Sequence, residues 1–125
     1  MDIRVLLERM LRHSEEILAD IEGCSRIGFE ADSKTQRAVY MSIHQIGGLV
    51  GRLPEAFMDL HPELPWRGIK QTRNIIAHEY IRIDMDIIWQ TITKSIPEFK
   101  GAIAECLRSI ADGKEPSMYK KDAEE

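Results

Sequence analysis

Apolar residues recur at three- and four-residue spacing along most of the chain, and no stretch alternates with period two, so the pattern reads as helix throughout. Ile3, Leu6, Leu7, Met10, Leu11, Ile17, Leu18 and Ile21 make one stripe and predict a first helix that Gly23 ends. A loop is expected from about Cys24 to Asp32. Ser33 and Gln36 then form an S-x-x-Q capping box, which starts a second helix near residue 34 with the stripe Val39, Ile43, Ile46, Val50 and Leu53. Pro54 breaks it, and PEAFMDL reads as a short extra turn. After the connector HPELPW, Pro65 suits the first position of a third helix running to about Tyr80. Asp84 caps a fourth, with the stripe Ile88, Ile92, Ile96, Phe99, Ile103, Leu107 and Ile110. Pro97 lies inside that stripe and predicts a kink or a split, and Gly113 ends the helix.

These elements predict an all-α protein, an antiparallel four-helix bundle over residues 1–112, followed by a polar, disordered tail at 113–125. Gly47, Gly48 and Gly51 each weaken the second helix by about 1 kcal/mol relative to Ala. Either another backbone approaches closely there or the glycines are simply tolerated.

Composition narrows the class. Of 125 residues, 43% are apolar and 30% charged, a soluble globular profile. No apolar run approaches the roughly 18–20 residues that span a bilayer, and MDIRVLLERMLRHSEE carries too many charges for a signal peptide. Cys24 and Cys106 form no metal or redox motif, so two reduced structural thiols in a cytoplasmic protein are expected. The net charge of −4 argues against a broad nucleic-acid surface. Residues 66–82 run against that trend, with Arg67, Lys70, Arg73 and Arg82 facing Glu79 alone.

That basic island surrounds RNIIAHEY, residues 73–80. At about 100° per residue, with Ile69 at zero, Ile76 falls near −20°, Tyr80 near +20°, Arg73 near +40°, Asn74 and His78 near 140–180° and Ile75 near 240°. Arg73 therefore borders the core stripe while Asn74 and His78 share another side. One ideal helix does not aim Arg73 and His78 at one small target, so either the helix distorts near His78 or a second chain completes the site. Spacing alone leaves a structural reading open as well: a salt-bridged arginine, a surface histidine and a core tyrosine with its hydroxyl at the rim.

The R-x-x-x-x-H-x-Y arrangement of Arg73, His78 and Tyr80 resembles the signature of HEPN domains. The longer stretch LPWRGIKQTRNIIAHEYIRIDMDIIWQTITKSIPEF resembles the branch containing HepT toxins, through Trp66, Arg73-Asn74, His78, Tyr80, Asp84, Trp89 and Pro97. The resemblance covers roughly residues 1–111. It implies a dimerising bundle that is a metal-independent endoribonuclease toxin, with Arg73 and His78 catalytic and Asn74 and Tyr80 positioning the RNA substrate. It also implies a cognate MntA-like minimal nucleotidyltransferase as antitoxin, silencing the toxin by adenylylating Tyr80. One departure stands out: where the family often has Ile-Gly-Glu, this chain has Ile46-Gly47-Gly48. If the missing acid positions the arginine or histidine, a non-catalytic HEPN module that binds the nucleotidyltransferase and a nucleotide becomes the alternative.

No cofactor or metal is expected, because His13, His44 and His61 show no ligand spacing. His44 reads as a helix-face residue near Tyr40 and His61 as exposed in its connector. Trp66 and Trp89 are expected to pack between helices.

Overall fold

Asp2, Ser25, Asp32 and Asp84 each stand one residue ahead of a helix, and each side chain accepts a backbone N–H from the first turn. In the computed structural model, which describes residues 2–78 and 82–113, these caps begin α1 (Ile3–Asp20), α2 (Arg26–Glu30), α3 (Ser33–Val50) and α6 (Met85–Gln90). The remaining helices are α4 (Glu55–Leu60), α5 (Trp66–His78) and α7 (Ile96–Ala111). α1 packs on α3 and α7, and α3 packs on α5. With α6 and α7 counted as one long helix, these are the four members of the expected bundle. The expected tail lies outside the described residues except for Gly113, whose φ of 73° closes α7 as predicted.

Four sequence expectations need correction. The stretch from Cys24 to Asp32 is not all loop: Ser25 caps the five-residue α2, which sinks Phe29 fully into the core. The cap of α3 is Asp32 rather than Ser33. Its Oδ1 accepts from the Thr35 N–H at 3.1 Å, and Gln36 instead donates to the carbonyls of Phe29 and Glu30. Pro65 stands just ahead of α5, its carbonyl accepting the Ile69 N–H at 3.0 Å. His61 is not an exposed connector residue. Its ring lies 4.6 Å from that of Phe57, its Nδ1 is 3.3 Å from Glu63 Oε1, and Cys106 Sγ is 3.7 Å from the same nitrogen.

Pro97 is accommodated in a specific way. Inside a regular α-helix its ring would press on the Thr93 carbonyl and its missing N–H would leave that carbonyl unpaired. The helix instead winds as a π-turn over Thr91–Ser95, and Pro97 falls in the first turn of α7, where no N–H is needed. The hydroxyls of Thr91 and Thr93 donate to the carbonyls of Ile87 and Trp89 at 2.8 and 2.6 Å.

An aromatic cluster ties α4, α5 and α7 together. Trp66 is buried, with its ring 6.3 Å from Phe57 and 5.9 Å, edge-on, from Phe99. Its indole N–H donates to the His61 carbonyl at 3.0 Å. At another point Phe29 of α2 meets the half-buried Trp89 at 5.7 Å, and Arg26 pairs with Asp86. Both tryptophans are thus packing residues, as expected.

Candidate active site

α5 divides by face as the helical angles require. Trp66, Ile69, Thr72 and Ile76 are buried, Lys70, Asn74 and His78 are exposed, and Arg73 is half-buried between the two sets. Thr72 secures the buried side, donating to the Gly68 carbonyl at 2.9 Å and lying 3.5 Å from the Thr91 hydroxyl.

Arg73 crosses α3 at Gly47. A Cβ at position 47 would sit 2.5 Å from Arg73 Cγ and 2.6 Å from its Cβ, so the arginine stem fills the space that any other residue would claim. This is the close approach that the glycines of α3 left open as one explanation; the approaching group is a side chain. The guanidinium Nε is buried and has no hydrogen-bond partner among the described residues. Arg73 lines a cleft of about 360 Å³ together with Gly47, Gly48, Gly51, Arg52, Lys70 and Asn74. Among the described residues, three cations and no carboxylate line this cleft. An anion with oxygens to receive the guanidinium fork is the complementary ligand. Gly48 is exposed, and a Cβ there would meet nothing within 4 Å, so the glutamate that the resemblance leads one to expect would fit, but is absent.

His78 is the last residue of α5, exposed, and one helical turn beyond Asn74. It does not line the cleft that receives Arg73. Tyr80 lies outside the described residues. Arg73 and Asn74 are therefore brought together within one chain, with His78 further along the same exposed side.

A separate hollow of about 340 Å³ between α3 and α5 is formed by Arg37, Tyr40, Met41, His44 and Ile76. His44 is half-buried there beside Tyr40, as its sequence position suggested. Met41 is 59% exposed, unusual for so large an apolar side chain. Sequence reasoning missed Arg52. Its signal was faint: it follows Gly51 at the end of α3 and lies four residues after Gly48, on the glycine side of the helix. Among the described residues no group of three or more His, Cys, Asp or Glu is placed to hold a metal ion, and no helix is long and apolar enough to cross a membrane.

An all-α bundle whose third long helix carries Arg73 beside a basic cleft and ends at His78, within an R-x-x-x-x-H-x-Y sequence, is a HEPN-type bundle. The chain belongs to the HepT-like ribonuclease family: the family model described as "Ribonuclease HepT-like" matches residues 7–106. A Methanocaldococcus jannaschii protein named "putative RNase" is 32% identical over 94% of this chain and 97% of its own length. A second "putative RNase", from Caldanaerobacter subterraneus subsp. tengcongensis, is 35% identical over 84% of this chain and 94% of its own. A "probable ribonuclease HepT" of Thermococcus cleftensis is 38% identical over 58% of this chain and 66% of its own. No solved structure gives a significant match.

Proposed function

We propose that the protein is an endoribonuclease toxin that cuts RNA without a metal. The observation that carries this reading is Arg73, threaded over Gly47 beside a cleft in which, among the described residues, its Nε has no partner and cations but no carboxylates form the lining. Such a group is poised for phosphate oxygens.

The reaction uses the RNA's own 2′-hydroxyl. A base removes the hydroxyl proton as the O2′–P bond forms, and an acid protonates O5′ as the P–O5′ bond breaks. The products are a 2′,3′-cyclic phosphate and a 5′-hydroxyl, and no water or proton is consumed overall. His78 serves as base or acid, since an imidazole nitrogen can both take up and release a proton. Arg73 donates to the non-bridging oxygens, where charge accumulates. Asn74, one turn before His78, orients its ring or the substrate, and Tyr80 holds the RNA. One chain offers one such histidine. A homodimer that brings two motifs together supplies both the acid and the base, and the exposed Met41 beside Ile76 is suited to such a contact.

In the same reading the partner is an MntA-like minimal nucleotidyltransferase that adenylylates Tyr80. The added bulk and negative charge exclude RNA phosphates from the cleft. One observation favours a second reading, a non-catalytic HEPN module bound to that partner: no acid stands at Gly48 to position Arg73 or His78.

RNA cleavage by purified protein in EDTA, with Tyr80 shown unmodified by mass spectrometry, separates the two. Cleavage by wild type and none by His78→Ala supports the nuclease. No cleavage by either supports the module. Equal cleavage by both removes His78 from the mechanism.

A further inference from the structure

The Arg73 cleft is lined by residues towards the start of α5 and the end of α3, among them Lys70 and Arg52, and not by His78. Lys70, Asn74 and His78 follow at four-residue intervals on one side of α5. Each interval advances about 6 Å along the helix axis, the scale of one nucleotide in an extended strand. If the scissile phosphate sits between Arg73 and His78, Lys70 and Arg52 lie one nucleotide step further on.

Three other arginines are held in ion pairs among the described residues. Arg4 pairs with Glu8, Arg26 with Glu30 and Asp86, and Arg108 with Glu105. Arg52, Lys70 and Arg73 make no ion pair with a described residue. In a chain of net charge −4, these three cations line one concavity together with Gly47, Gly48 and Gly51, which let a backbone come close. The volume of about 360 Å³ accepts a nucleotide-sized group.

We infer that Lys70 and Arg52 form a subsite for a phosphate adjacent to the scissile one, so that the preferred substrate is RNA with at least two consecutive phosphates. The inference rests on the ribonuclease reading. It adds a binding role for two residues that lie outside the R-x-x-x-x-H-x-Y motif.

The test compares cleavage of a dinucleoside monophosphate with that of trinucleotides extended by one phosphate on either the 5′ or the 3′ side. Wild type is expected to favour one trinucleotide by about tenfold in kcat/KM, about 1.4 kcal/mol of extra transition-state binding. In Lys70→Gln and Arg52→Gln that preference is expected to fall towards unity. Preference retained in both variants overturns the subsite. So does a wild type indifferent to the extra phosphate, although its cleavage of RNA would leave the nuclease reading standing. If wild type cuts nothing, the nuclease reading fails, and the subsite is decided by fluorescence anisotropy with a 2′-O-methyl oligonucleotide. The slope of log affinity against log salt should then flatten by about 0.7 for each cation removed. An unchanged slope, or no binding by wild type, overturns the proposal.

Discussion

The backbone of Gly47 and the side-chain stem of Arg73 share one space: a methyl group at position 47 would lie 2.5 Å from Arg73 Cγ and 2.6 Å from its Cβ. Because those atoms begin the side chain, rotating the distal guanidinium does not relieve the clash. α3 and α5 would have to separate or Arg73 would have to change rotamer. Gly48, the next residue, faces open space.

The two neighbouring glycines should therefore respond in opposite directions. Gly48→Ala gains helix propensity and is expected to stabilise the protein by up to about 1 kcal/mol. Gly47→Ala gains the same propensity but adds an overpacking strain of about 1–3 kcal/mol, so it is expected to destabilise and to misplace Arg73. Urea unfolding of both variants measures the difference. Equal and positive effects would mean that the Arg73 stem does not need the space.

For the proposed chemistry, His78→Ala is expected to lower RNA cleavage by ~10²–10⁴-fold. Arg73→Lys keeps the charge but loses the planar fork, so it should recover little of a ~10²-fold or greater loss in Arg73→Ala. Single-turnover rates with one RNA report both. Full activity in Arg73→Lys would reduce the arginine to a point charge.

The aromatic cluster gives a prediction that is independent of function. Phe57 is fully buried, and Phe57→Ala is expected to cost about 3–5 kcal/mol. Trp66→Phe keeps most of the packing but removes the indole N–H from the His61 carbonyl, a loss of about 1 kcal/mol. Chemical denaturation distinguishes the two, and a small effect of Phe57→Ala would mean that α4 is not tied to the core.

Asp32 supplies a pH dependence. The Thr35 hydroxyl and backbone N–H, both donating to its carboxylate, hold its pKa below the ordinary value. A folded-state pKa lowered in this way adds stability that is complete above the unfolded carboxylate pKa and is lost as pH falls through the folded value. Thermal melts from neutral pH down through the carboxylate range should fall more steeply for wild type than for Asp32→Asn. Because Asp32 is exposed and screened, the difference is expected to be a small part of the total acid effect. Parallel curves would show that the cap does not titrate with folding.

Much of this was legible in the chain because long amphipathic helices repeat their signal. The stripe of α1, the Asp84 cap and the Gly113 terminus appear where the pattern placed them. α2 was not legible, since five residues span little more than one turn and show no period. The cap of α3 was ambiguous because Asp32 and Ser33 are adjacent and both favour that role. Only packing decides that Gln36 reaches back to α2. The π-turn was not legible: Ile88, Ile92 and Ile96, in two steps of four, fit the apolar stripe of a regular α-helix, and only Pro97 signalled a disturbance there. In the site, the angular positions of Arg73, Asn74 and His78 followed from helix geometry alone. The convergence of Arg52 on Lys70 did not, because it depends on how α3 and α5 cross.

That crossing has a consequence for how such a protein can diversify. Lys70 and Asn74 project from the outer side of α5, so each can be exchanged by a single codon change without disturbing the bundle. Arg73 is interlocked with a residue on another helix. Most routes that enlarge position 47 must first pass through a protein whose arginine is displaced. Drift among descendants should therefore be free in the grip on the substrate and frozen at the Gly47–Arg73 pair, with change at one position permitted only after change at the other.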